Sequence, residues 1–235
     1  MKRSFTALMA AVLVLALCAC GTDAPAETVP PVTPEATASP TPVPTVAVEI
    51  PAPEPEDTAL VRVRDYIPDI WVDLRYAGEN NFTGAAIYDF SDAYLRYGTV
   101  RKLAQAQEAL EEDGYSLLIW DAFRPTEAQF RLWEVCPDPV YVANPEKGYS
   151  SHSRGNTVDV TLTDLDGNAV EMPSGFDDFS PLADRDYSDV SPDAAANAQL
   201  LEDVMSDCGF RPYSGEWWHF TDTDDYPVEE RFSPG

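Results

Sequence analysis

The chain has 235 residues, 41 of them acidic against 15 basic, giving a formal net charge of −26, and 11% of its residues are aromatic. Charge of that sign argues against nucleic acid or anionic lipid as a direct partner and suits the binding of cations, and the aromatic content is ample for a packed core. Length alone sets one or two domains.

The first residues, Met1-Lys2-Arg3 and an apolar run from Phe5 to Ala19, have the charged start and short hydrophobic stretch of a secretory signal, too short to span a bilayer comfortably. The run ends in Leu17-Cys18-Ala19-Cys20-Gly21. This looks like a bacterial lipobox, in which the chain is cut before a cysteine that receives lipid. Cys20 is the expected anchor, because at Cys18 the bulky Leu17 would occupy the small-residue position before the cut. From Cys20 to Thr58 the chain is rich in Pro, Thr, Ala, Val and Glu, holds ten of the 21 prolines and lacks Trp, Tyr and Phe. It reads as an extended spacer. The expected organisation is a signal peptide at 1–19, a lipidated Cys20 with a disordered linker at 20–58, and a folded domain at 59–235. Such a chain is expected to be exported and held on the outer face of the bacterial cytoplasmic membrane, touching it only through the lipid.

Within the folded part, Val100, Leu103, Ala104 and Leu110 recur at helical spacing and stop at Gly114, which predicts a surface helix. Tyr115 to Trp120 reads as a strand ending in Asp121-Ala122-Phe123-Arg124-Pro125, and a short helix is expected over Thr126 to Val135. Thr157 to Thr163 alternates, with Val158, Val160 and Leu162 facing the core and Asp159 pointing away from it. Asp166-Gly167-Asn168 predicts a turn into Ala169 to Met172, most simply a hairpin; a calcium loop here would lack its remaining ligands. A helix over Ala194 to Cys208, with Leu200, Leu201, Val204 and Met205 on its apolar side, ends at Gly209. Glu216 to Thr221 is an aromatic strand. This irregular alternation predicts an α+β fold, with a mainly antiparallel central sheet flanked by helices. Export would permit a disulfide between Cys136 and Cys208, two free buried thiols being the alternative.

The chain holds only two histidines, His152 and His219, each in a short polar-aromatic cluster: Ser150-Ser151-His152-Ser153-Arg154-Gly155-Asn156-Thr157-Val158-Asp159, and Glu216-Trp217-Trp218-His219-Phe220. Catalytic zinc takes three protein ligands of the His or carboxylate type and keeps one position open. His152, Asp159 and His219 fit that count. A base must also take the proton of water, and Glu216 lies three residues before His219. In a regular strand these two positions face opposite sides, so Glu216 is expected at a bend after Ser214-Gly215. The residues alone leave a structural role for both histidines open.

Ser-x-His-x-x-Gly-x-x-x-Asp followed far downstream by Glu-Trp-Trp-His resembles the zinc D-alanyl-D-alanine dipeptidases of the vancomycin-resistance type. The resemblance covers most of residues 59 to 235, including Tyr76 to Gly84, Asp121 to Pro125 and Met172 to Asp177. It implies the fold of those peptidases, one zinc per chain held by His152, Asp159 and His219, and Glu216 as general base and acid. It implies Arg124 as the group that opposes negative charge on the scissile carbonyl, Tyr76 and Asp177 as holders of the substrate's free amino end, and Ser150 and Ser151 beside its carboxylate. The substrate implied is a small D-amino-acid peptide, D-alanyl-D-alanine first. Two alternatives stay open: a D,D-carboxypeptidase trimming terminal D-Ala from peptidoglycan stems, which generally carries Pro where this chain has Trp217, and a non-catalytic wall-binding lipoprotein. Resistance-type dipeptidases work in the cytoplasm, so expected export favours turnover of fragments outside the membrane.

Overall fold

A computed structural model describes residues 53–139 and 141–234. The expected signal peptide, the Cys20 anchor and most of the linker lie outside the described residues. Two short strands, β1 (Leu60–Arg62) and β3 (Tyr94–Arg96), form an antiparallel pair. The main sheet has five strands: β2 (Trp71–Val72), β4 (Tyr115–Asp121), β5 (Thr157–Asp164), β6 (Phe210–Tyr213) and β7 (Glu216–Asp222). Their order is β2-β4-β5-β7-β6, parallel between β2 and β4 and antiparallel elsewhere. Three helices accompany them: α1 (Tyr97–Glu112), α2 (Thr126–Val135) and α3 (Pro192–Asp207). The α+β architecture matches the sequence reading.

Helix α1 packs on β4 and on α3, and α3 packs on β5, β6 and β7, so these two helices form one layer on the sheet. The buried stripe of α3 is Ala194, Ala198, Leu201 and Met205. Leu200 and Val204, expected on the apolar side, are only partly buried. The helix starts where its chemistry dictates, with Ser191 Oγ accepting from Ala194 N–H and Pro192 in the first turn.

Strand β5 departs from the half-buried pattern expected of it. Thr157, Asp159, Thr161 and Thr163 are buried along with Val158, Val160 and Leu162, because the polar face is roofed by loops as the apolar face is by helices. Its threonines satisfy their hydroxyls locally: Thr157 with Thr221, and Thr163 with the Ser116 carbonyl. The expected hairpin after Asp166-Gly167-Asn168 shrinks to one bridge, Thr163 with Ala169. Asp164 spends its carboxylate on the turn instead, accepting from the amides of Asp166 and Asn168. Cys136 and Cys208 are both free.

The fold's contacts begin before Ala59. Arg96, on β3, donates to the carbonyls of Thr58, Arg154 and Pro227, and Gly98 N–H donates to the Asp57 carbonyl. One guanidinium thus pins the entry of the domain, its site loop and its C-terminal tail together. Among the described residues no helix is long and apolar enough to cross a membrane.

Candidate active site

Asp159 and His219 are directly opposed residues of β5 and β7, so both side chains leave the same face of the sheet. His152 reaches that face from a 3-10 turn, Ser151–Arg154, which enters β5. The turn is closed by Gly155 at φ 73°, where a side chain would strain the backbone and its Cβ, 2.5 Å from Leu60 Cδ2, would push the leucine side chain aside. Ser150 Oγ accepts from His152 N–H and caps the turn.

These three side chains offer ligand atoms that all lie within 4.8 Å of one another. His152 Nδ1 is hydrogen-bonded to the Ala122 carbonyl at 2.9 Å, which fixes the tautomer and leaves Nε2, 3.5 Å from Asp159 Oδ2, free to act as a donor atom. His219 turns Nδ1 to within 3.0 Å of Asp159 Oδ1, yet that buried oxygen accepts no hydrogen bond. Atoms with lone pairs converging on one point, one of them buried and unsatisfied, are what a cation needs and what a structural cluster avoids. Two imidazoles and a carboxylate suit zinc. Burial opposes ionisation of Asp159, but His152 and His219 hold its carboxyl well below the usual carboxylate range.

Glu216 lies beside this trio, its Oε2 3.4 Å from His219 Nδ1. The expected bend is a bulge: Pro212 pairs with Phe220 and Tyr213 with Glu216, so Trp217 to His219 have no partner on β6. The three extra residues break the two-residue alternation and bring positions 216 and 219 to one side. Burial, and then the charge of Asp159, push the Glu216 carboxyl upward.

The same pocket, about 350 Å³, is lined by the trio, Glu216, Arg124, Tyr76, Asp177, Ser150 and Ser151 among others. Every folded-domain site residue picked out in the sequence therefore meets in one cavity. Tyr76 O–H donates to Asp177 Oδ2 at 2.7 Å. Asp177 sits at φ 54°, a left-handed conformation that Asp and Asn adopt more readily than other non-glycine residues. Burial raises its pKa to about 7 against the lowering effect of the Tyr76 hydrogen bond, with Asp159 adding repulsion. Arg124 lies over the Tyr76 ring, 5.1 Å from its centroid, and Nη1 donates to Gln129.

A profile for the Peptidase M15 family, described as D-ala-D-ala dipeptidase, matches residues 56–234. The chain belongs to this family. The D-alanyl-D-alanine dipeptidase of Escherichia coli (strain K12) is 40% identical over 163 residues, 69% of this chain and 84% of that protein. The D-alanyl-D-alanine dipeptidase of Enterococcus faecium is 35% identical over 176 residues, 66% of this chain and 87% of that one. Among solved structures, the LdcB LD-carboxypeptidase aligns over 72% of this chain and 69% of its own, with TM-score 0.42 and 19% identity.

Two residues of this M15 site escaped the sequence reading. Asp121, fully buried, accepts from Tyr88 O–H, Ala122 N–H and Arg124 Nη2, at 2.7, 2.9 and 2.6 Å, and lies 3.6 Å from His152 Nδ1. Its signal was available: an acid three residues before the site arginine, at the end of an apolar strand. Arg185 lies behind the Glu216 bulge, and nothing in its local sequence marks it.

Proposed function

We propose that this protein is a zinc-dependent peptidase that hydrolyses free D-alanyl-D-alanine. The observation that carries the reading is Glu216 held beside His219 and Asp159 in a pocket whose wall also bears Asp177. In the reaction the peptide C–N bond breaks, and water supplies a hydroxyl to the carbonyl carbon and a proton to the leaving nitrogen, yielding two molecules of D-alanine. His152 through Nε2, Asp159, and His219 through Nδ1 would hold one zinc ion. Zinc, when bound, supplies Lewis-acid polarisation of the scissile carbonyl and makes water a stronger acid.

The chain's own residues do the rest. Glu216 takes the proton of the attacking water and returns it to the departing amine, a double role suited to a carboxyl pushed above its usual pKa. Arg124, fixed by Asp121 and Gln129, opposes negative charge gathering on the carbonyl oxygen. Asp177 and Tyr76 hold the substrate's ammonium group, and Ser150 and Ser151 face its carboxylate. An anionic wall at the amino end favours a free dipeptide over a longer chain, whose amide nitrogen carries no charge.

From the sequence we also propose export, lipidation at Cys20 and a role in cell-wall peptide turnover outside the membrane. Cys20→Ser should move the protein from the membrane to the soluble fraction; continued membrane association would remove the anchor.

The deciding test sets D-alanyl-D-alanine beside an acyl-blocked peptide ending in D-Ala-D-Ala, using the full chain with zinc added. Cleavage of the free dipeptide alone supports the reading. Cleavage of the blocked peptide moves the protein to carboxypeptidase activity, and cleavage of neither makes it a binding protein.

A further inference from the structure

The bulge that brings Glu216 and His219 to one side has a cost in backbone hydrogen bonds. Trp217 to His219 have no β6 partner, and the strand opposite contains Pro212, which has no N–H to give. Carbonyls at the two ends of such a bulge would be left without the ladder bonds that a regular strand supplies.

Arg185 fills that gap. Its Nη2 donates to the carbonyls of Glu216 and His219, each at 3.1 Å, and Nε donates to the Tyr213 carbonyl at 2.8 Å. These are the carbonyls at the two ends of the bulge and at the pairing partner of Glu216 on β6. The remaining nitrogen, Nη1, bonds Glu202 Oε2 at 2.9 Å and Tyr187 O–H at 3.3 Å, and Tyr187 O–H itself donates to Glu202. The guanidinium lies 4.6 Å from the Phe220 ring centroid, and its side chain is 10% exposed. Every face of the group is thus occupied, and Glu202 on α3 sets its rotation.

His219 has a second anchor in the β5 ladder, through its pairing with Asp159. Glu216 has none there. It is tied to His219 by the covalent chain through two tryptophans and by the one nitrogen that bridges both carbonyls. We propose that Arg185 is a positioning residue for catalysis: it holds the Glu216–His219 bulge closed and so keeps the Glu216 carboxylate over the metal site. The proposal rests on the role given above to Glu216. A planar fork is required because three carbonyls must be reached from one group, which a lysine ammonium on a flexible stem cannot do with the same geometry. Misplacing a catalytic group by about 1 Å costs on the order of 10²-fold in rate.

The test measures kcat, KM, zinc content and melting temperature for Arg185→Met, Arg185→Lys and Glu202→Gln in the full chain, with Glu216→Ala alongside. Arg185→Met is expected to keep one zinc per chain and a KM within about threefold of the parent while kcat falls on the order of 10²-fold. Arg185→Lys should recover part of that loss, and Glu202→Gln, which keeps the guanidinium but frees its rotation, should show a smaller loss of the same kind. If Arg185→Met fails to fold, the kcat-against-KM split in the other two variants decides. Unchanged kcat in the folded variants overturns the proposal, as does a kcat loss that follows loss of zinc, since the defect is then in the metal ligands. An active Glu216→Ala enzyme overturns the base assignment and this inference with it. An inactive Glu216→Ala beside an unimpaired Arg185→Met overturns only the role of Arg185.

Discussion

Asp159 Oδ1 and His219 Nδ1 approach to 3.0 Å across adjacent strands without forming a hydrogen bond. A buried carboxylate oxygen without a partner is costly in a stable fold, and here a cation between it and His152 would satisfy it. Metal binding to the folded state alone stabilises by about 4 kcal/mol at a thousandfold excess over the dissociation constant. Chelation of the zinc-loaded protein should therefore lower its melting temperature by about 10 °C. Asp159→Asn should abolish the difference between metal-loaded and chelated samples. A melting temperature indifferent to chelator in the unaltered protein would speak for a structural cluster.

Glu216→Ala should retain one zinc per chain, because the three ligand atoms come from other residues. Its kcat should fall by about 10²- to 10⁴-fold, the range for loss of a general acid-base. Glu216→Gln should fall as far despite keeping the size and hydrogen-bonding reach of the side chain. Substantial residual turnover in either would remove Glu216 from proton transfer.

The chemistry of this site was legible because it rests on rare residues. Two histidines in 235 residues left few arrangements to consider, and the alternation of β5 aimed Asp159 correctly. The same alternation misjudged burial, since a sequence period reports which side a residue faces and is silent about loops that later roof that side. Helix α2 was placed to the residue, whereas α1 began at Tyr97 rather than Val100, lacking a capping side chain to mark its start. Strands β1, β2, β3 and β6 went unseen: each has two to four residues, too few to show a period. Arg185 was invisible for a different reason. It acts on backbone carbonyls exposed by a bulge, and a bulge is a property of strand register.

Asp177 supplies the pH dependence. Its folded pKa of about 7 lies above the unfolded value near 3.9, so the fold binds a proton more tightly than the unfolded chain between those values. Stability from this group is fully present below about 3.9 and is lost as pH rises through about 7. Asp177→Asn should thus melt above the parent at pH 8 and lose that advantage toward pH 4. Substrate binding runs the other way: the carboxyl must be ionised, and the dipeptide's amino group, with a pKa of about 8, must be protonated. The value of kcat/KM for D-alanyl-D-alanine should be greatest between about pH 7 and 8. In Asp177→Asn the acid limb should shift and KM should rise. A profile identical to the parent's would dismiss Asp177 from amino-end binding.

Arg96 should be among the most sensitive positions outside the site. Its side chain is 6% exposed, donates to three carbonyls from separate segments and lies 3.5 Å from Glu229. Arg96→Met removes three charge-assisted hydrogen bonds made by a buried guanidinium, a loss of about 3 kcal/mol. The melting temperature should fall by about 10 °C. Since one of the three is the carbonyl of Arg154, beside Gly155, the variant should also bind zinc less tightly. A drop in stability with zinc affinity unchanged would show that the His152 turn is held by its own hydrogen bonds.

Asp121 and Arg124 divide one task. Arg124→Lys keeps a positive charge but lacks the fork that Asp121 and Gln129 grip together, and it should lose about 10²- to 10³-fold in kcat, as removal of an oxyanion donor does. Asp121→Asn retains Arg124 and should do harm twice over. A neutral amide holds the guanidinium less firmly than a carboxylate, and the negative charge 3.6 Å from His152 Nδ1 disappears. Zinc affinity should fall in Asp121→Asn and stay near the parent's in Arg124→Lys, because Arg124→Lys keeps the positive charge and Arg124 supplies no ligand atom to the trio. Equal zinc affinity in the two variants would confine Asp121 to holding the arginine.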